Sequence, residues 1–264
     1  MQRDVSSRIV LDVRDTSDLV FAIAPSRHYA LNHEQMSATL DGHEVEVHEL
    51  SDVHGTRLHR LTAEPGGLIV EYGAMVFGHG TTATAGETDL LRYARPSRYA
   101  PSDELAATAA AVVGAARGFD ALIAVSSWVG TQLSYVPGSS GPTDGATATL
   151  LSRKGVCRDY AHLCVALLRG VGIPARLVAV YAPGLDPMDF HAVAEAWIDG
   201  AWCVVDATTL APRSTLVRIS TGRDAADTAF LTTVSGRANL TEMTVSATAD
   251  DLPSDDLDRP ASIS

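Results

Sequence analysis

Cysteine, histidine and aspartate occur in the order needed for a thiol nucleophile with an oriented base. Cys157 lies in Gly155-Val156-Cys157-Arg158-Asp159-Tyr160-Ala161-His162, His191 in Phe190-His191-Ala192, and Asp206 in Val204-Val205-Asp206-Ala207-Thr208. In that chemistry the imidazole takes the thiol proton, the thiolate attacks a carbonyl carbon, and the carboxylate fixes the imidazole tautomer. Each residue alone has an ordinary explanation: a small buried hydrophobe, a surface or core histidine, a strand-end cap. The set gains meaning only if local structure brings its members together.

Residues 156–169 predict a helix, because Ala161, Cys164, Val165 and Leu168 recur at the steps of one apolar stripe. Gly170, Gly172 and Pro174 end it. Cys157 then falls in the first turn, where unpaired N–H groups carry roughly half a positive charge. Arg153, Lys154 and Arg158 add cationic charge nearby. In such surroundings a thiol pKa of about 8.5 can fall to roughly 3.5–7.5. Cys164 faces the core and reads as packing.

Residues 190–198 and 201–208 predict two strands joined by the hairpin turn Asp199-Gly200. The turn sets Ile198 opposite Ala201, Trp197 opposite Trp202, Val193 opposite Asp206 and His191 opposite Thr208. Alternation puts His191, Val193, Glu195, Trp197, Trp202, Val204 and Asp206 on one face. The opposite face holds alanines with Ile198, Cys203 and Val205, so Cys203 reads as packing and the tryptophans as core. His191 and Asp206 become diagonal neighbours, roughly 7–8 Å apart at the backbone. Glu195 is the rival orienting acid, placed four residues along the same strand.

These motifs, G-V-C-R-D-Y-A-H, F-H-A-V-A-E-A-W and W-C-V-V-D-A-T, resemble the core of the transglutaminase-like superfamily. The resemblance is nearest to its bacterial cytosolic branch of transglutaminase-like cysteine proteases. The segments Arg95-Pro96-Ser97-Arg98-Tyr99-Ala100-Pro101-Ser102-Asp103 and Arg223-Asp224-Ala225-Ala226-Asp227 share it, so it spans roughly residues 90 to 235. It implies Cys157 as nucleophile, His191 as base, Asp206 as orienting acid, and an α+β core related to papain-like enzymes. Many relatives carry tryptophan two residues after the histidine, where this chain has Val193. For the oxyanion hole the Cys157 N–H is one donor, and Trp128, Gln132 and Tyr135 are candidates for the other.

The chain has 264 residues, 46% hydrophobic, with a formal net charge of −12. That charge argues against nucleic-acid binding, which needs clustered Lys and Arg. No apolar run reaches membrane-spanning length and no signal peptide is visible, so a cytoplasmic, membrane-free protein is expected. The cysteine spacing matches no zinc motif, and no calcium loop of the D-x-D-x-D-G type occurs. His28, His33, His43, His48, His54, His59 and His79 are expected to be scattered and solvated. No metal or other cofactor is therefore expected, and activity should be calcium-independent.

The fold class expected is α+β, with a nucleophile helix packed on an antiparallel sheet. Residues 1–90 predict a sandwich-like β domain, with strands at 8–13, 19–24, 36–40, 44–50, 57–63 and 68–76. Residues 91–248 predict the catalytic domain, with helices near 103–117 (Ser102 as N-cap) and 120–134. A strand follows at 173–181, and loops at 137–145 and 183–187 border Cys157. The acidic tail, 249–264, is expected to be disordered. The expected function is hydrolysis of a peptide, protein or small amide through a thioester. The alternatives are transfer of the same acyl group to an amine, and a binding module without turnover.

Overall fold

The segment carrying Cys157 is helical over 157–170, as its apolar spacing predicts, and a sheet built from the expected hairpin lies beneath it. A computed structural model describes residues 1–263. In chain order they form β1 (Gln2–Phe21), β2 (Leu31–Leu40), β3 (His43–Glu44), β4 (His48–Ser51), β5 (Arg57–Ala63), β6 (Gly66–Phe77), α1 (Glu87–Tyr93), α2 (Ala106–Val113) and α3 (Phe119–Gln132). There follow β7 (Ser134–Tyr135), α4 (Ala146–Ser152), β8 (Lys154–Gly155), α5 (Cys157–Gly170), β9 (Ala175–Tyr181), β10 (His191–Ile198), β11 (Ala201–Val205), β12 (Val217–Gly222), α6 (Ala225–Thr228) and β13 (Leu231–Ala249).

The smaller sheet runs in the order β11-β10-β9-β12. Ala194, Ala196, Cys203 and Val205 share a core with Leu163, Cys164 and Leu167 of α5 and with buried residues of α2 and α3. Small side chains on that face let the helix approach closely, which fixes where its N-terminus ends. Val178, Val180, Val193 and Val204 form a second apolar cluster with Leu216.

The larger sheet is organised around β1. One edge of β1 pairs with β6 over Gln2–Val13 and with β5 over Ser17–Phe21; the other pairs with β13 almost throughout. The strands expected at 8–13 and 19–24 are thus one continuous strand, whose polar stretch around Asp15 carries register shifts rather than a turn. The strand expected at 44–50 is instead two short ones, β3 and β4. The boundary expected near residue 90 is crossed, because β13 belongs to this sheet and Tyr181, Val217 and Ile219 share its core. The Tyr181 hydroxyl also donates to the Ile23 carbonyl at 2.8 Å.

Other expectations need correction. Ser102 does not cap α2, which begins at Ala106 behind Leu105. The acidic tail is docked: Arg213 donates to Asp255 at 2.8 Å, Val204 N donates to the Ala261 carbonyl at 2.8 Å, and Ile263 is buried. A nearly buried guanidinium needs an anionic partner, and the tail supplies it. Several of the expected solvated histidines are packed instead. His54 Nε2 lies 2.7 Å from the Tyr93 hydroxyl, His28 Nδ1 lies 2.9 Å from the Ser26 hydroxyl, and His59 is buried.

Glu195 is committed elsewhere than to the histidine. Its carboxylate is fully buried and accepts from Arg176 Nε at 2.8 Å and from Arg218 Nη2 at 2.6 Å. Burial would raise the Glu195 pKa, but the two guanidiniums hold it far below the usual range. Arg176 also stacks over Trp202, 3.8 Å from the ring centroid. Removing the carboxylate charge leaves two buried cations unpaired. Glu195→Gln should therefore lose about 3–5 kcal/mol of unfolding free energy in a denaturant titration. A loss below about 1 kcal/mol would contradict this role.

Candidate active site

The N-terminus of α5 is built by its own first turn. Val156 N–H donates to Asp159 Oδ2 at 2.8 Å, satisfying one of the donors that the helix leaves unpaired. Gly155 is required beside it, since a Cβ there would meet Asp159 Cβ at 2.6 Å. Ser140 Oγ donates to the same carboxylate, while Arg158 Nη2 donates to the Gly141 carbonyl at 2.8 Å and to Asp159 Oδ1 at 3.1 Å. These bonds strap the 137–145 loop across the helix end, and Pro142 shares the cavity lining with Cys157. The half-buried Cys157 is a free thiol, as are the buried Cys164 and Cys203.

His191 and Asp206 meet as the hairpin predicts, though by a different route. The ladder runs from Ile198–Ala201 to Ala194–Val205 and stops, so Asp206 lies beyond the end of β11 and His191 pairs with Val180 of β9 instead. His191 Nε2 and Asp206 Oδ2 are 2.8 Å apart, with side chains 0% and 3% exposed. Asp206 Oδ1 accepts from Thr208 N at 2.9 Å and from Thr208 Oγ1 at 2.7 Å. The strand-end cap and the histidine partner are therefore one carboxylate. Thr208 was absent from the expected site, although an Asp followed two residues later by Thr is a readable turn signature.

Cys157 and His191 line one cavity of about 480 Å³. His191 Nδ1 is buried without a hydrogen-bond partner in bonding geometry, yet the thiol is near enough to act on the ring. Burial lowers the His191 pKa; the charge and hydrogen bond of Asp206, reinforced by Cys157, outweigh it and raise the pKa well above its ordinary value. Burial would raise the Asp206 pKa, and His191 and Thr208 hold it below normal.

Of the oxyanion candidates, Tyr135 is the one placed at Cys157. The β7–β8 bridge aligns Tyr135 with Gly155, and Val136 N donates to the Gly155 carbonyl at 3.0 Å. Burial, together with the adjacent Cys157, pushes the Tyr135 phenol up to about 12, so it remains a proton donor at neutral pH. Gln132 is engaged by Arg153, and Trp128 packs against the helical core. Val193 packs with Val178, Val180 and Val204, so the cavity does not draw on that position. His162 is buried, stacks on Tyr99 and accepts from Ala225 N at 3.1 Å; burial lowers its pKa to about 4, so it acts as a neutral acceptor. Among the described residues, no group of three or more His, Cys, Asp or Glu side chains could hold a metal ion.

A histidine whose folded pKa is raised contributes stability that is complete below its unfolded pKa of about 6.5 and fades as pH climbs toward the folded value. The unfolding free energy of the wild type minus that of His191→Gln should therefore be largest below about pH 6 and shrink steadily as pH rises above about 6.5. Denaturant titrations across that range check the sign, and a difference that grows with pH would overturn it.

A family model described as the transglutaminase-like superfamily matches residues 106–207, a span that contains Cys157, His191 and Asp206. Among solved structures, a candidate cysteine protease from Cytophaga hutchinsonii superposes with a TM-score of 0.87 and 32% identity, covering 96% of this chain and 92% of its own. An uncharacterised protein of Mycobacterium leprae is 30% identical over 133 residues, 47% of this chain and 48% of its own length. An uncharacterised Mycobacterium tuberculosis protein is 34% identical over 113 residues, 37% and 36% of the respective chains. The match thus spans about half or less of these curated relatives. Likeness over nearly the whole length of the Cytophaga structure, with the family match over the site, leads to one conclusion: the chain belongs to the transglutaminase-like superfamily.

Proposed function

We propose that this protein is a cysteine-dependent amide hydrolase acting on peptides or proteins. The observation that carries this reading is the buried 2.8 Å His191–Asp206 pair, whose histidine shares a cavity with a cysteine at a helix N-terminus. The resemblance to a candidate cysteine protease over 96% of the chain supports the same class. Three free thiols suit a reducing compartment, and we place the protein in the cytoplasm.

The raised pKa of His191 favours transfer of the Cys157 proton to Nδ1, giving a thiolate beside an imidazolium. The thiolate attacks the carbonyl carbon, and the developing oxyanion accepts from Cys157 N–H and Tyr135 O–H. His191 Nδ1–H then protonates the leaving amine as the C–N bond breaks, leaving a thioester on Cys157. Water enters, gives a proton to His191 and attacks the thioester. The thiol recovers its proton from His191, and the acid product departs, losing its own proton to solvent. Asp206 holds Nε2 throughout and stabilises the imidazolium.

Cys157→Ala should abolish turnover of a peptide substrate. His191→Ala should lower kcat by about 10²–10⁴, and Tyr135→Phe by about 10² with little change in KM. Quenched-flow mass spectrometry should find the acyl group on Cys157. Product carrying solvent oxygen supports hydrolysis; product consisting mainly of amine adduct under added primary amine would replace it with acyl transfer. Undiminished turnover in Cys157→Ala would refute both.

A further inference from the structure

The cavity that receives the Cys157 thiol is shaped largely by residues outside the helix and hairpin of the triad. Phe190 and Phe230 stack with ring centroids 5.5 Å apart, and Leu231, Met243 and Ile219 complete an apolar wall. Leu231 and Met243 come from opposite halves of β13, and Phe230 immediately precedes that strand. The Phe230 carbonyl is fixed by Ala22 N–H at 3.0 Å, and Leu231 and Met243 pair with Phe21 and Ile9 of β1. The β1–β13 ribbon therefore holds one side of the cavity rigidly against β10.

Besides His191, the charged side chains lining this cavity are Arg158 and Asp189, and both are hydrogen-bonded. Arg158 is spent on Gly141, Ser140 and Asp159. Asp189 is exposed, and its carboxylate accepts from Phe190 N at 2.7 Å. The wall formed by the ribbon presents no side-chain donor or acceptor to a bound group. An amide or carboxylate pressed against it loses water without replacement, at about 1–3 kcal/mol on protein mutational scales, whereas an apolar side chain gains roughly 25 cal/mol per Å² buried.

We propose that this wall selects a bulky apolar side chain, leucine- or phenylalanine-like, on the acyl residue of a polypeptide substrate. The acyl group becomes bonded to Cys157 Sγ, so its side chain must occupy the cavity into which that sulfur opens. The larger β-sheet thereby acquires a role in substrate choice. A polar side chain such as glutamine or glutamate at that residue is disfavoured here. The inference rests on the thiol-hydrolase reading of Cys157.

The test uses the full chain and a series of N-acetyl dipeptidyl chloromethyl ketones that differ only in the residue next to the warhead: Leu, Phe, Gln or Glu. Rates of Cys157 alkylation are normalised to iodoacetamide, which has no side chain. The leucyl and phenylalanyl probes should react at least about tenfold faster than the glutaminyl and glutamyl probes. Met243→Glu and the milder Phe230→Leu should each narrow that ratio. Equal normalised rates, or an order that neither variant alters, would overturn the inference. Slow iodoacetamide labelling that is indifferent to His191 would instead defeat the hydrolase reading, while the order of the four probes would still report on the wall.

Discussion

A buried carboxylate must be fully satisfied or it will not stay ionised, and the site is arranged around that demand at Asp206. Thr208 supplies a backbone and a hydroxyl donor to one oxygen, and His191 meets the other. These bonds keep Asp206 charged, and that charge lifts the basicity of a histidine that burial alone would weaken. The proposed reaction needs such a base at the thiol. The hairpin, the helix above it and the loop strapped over the helix end are the means of delivering the cysteine to that ring.

The β10–β11 hairpin carries two acids with opposite tasks. Glu195 lies between two arginines and beneath the tryptophan-lined side of the sheet, where it fixes β10 against β9 and β12. Asp206 lies past the end of β11, where the ladder has stopped and its side chain can turn toward the strand that begins at His191. Had the ladder continued, Asp206 would face Val193, and Thr208 could not close its turn on the carboxylate. The break in pairing is what lets Asp206 meet both His191 and Thr208.

Much of the site was legible from sequence because it depends on local rules. The Asp199-Gly200 turn set the true register from Ile198–Ala201 to Ala194–Val205, and apolar spacing placed Cys157 at the first turn of α5. Glu195 was ambiguous because its partners Arg176 and Arg218 lie on other strands, beyond the reach of any pattern in the hairpin. Tyr135 could only be one of several oxyanion candidates, since the β7–β8 bridge that selects it is too short to carry a periodic signal. The course of β13 was hidden for a related reason. Its residues are mostly exposed and Thr/Ser-rich, and its partner β1 stands at the opposite end of the chain. The tail misled because acidic composition normally means solvation, whereas Arg213 needed a carboxylate from Asp255.

The most direct measurement is the rate of iodoacetamide labelling at each of the three cysteines against pH, in wild type and in His191→Ala. An activated Cys–His pair predicts that Cys157 labels fastest, well below the pH at which an ordinary thiol reacts, and that removing the imidazole slows it. Cys164 and Cys203, buried in the helical core, should label slowly in both proteins. An ordinary thiol profile at Cys157, unchanged in His191→Ala, would contradict the central claim that the buried histidine and aspartate exist to activate that cysteine.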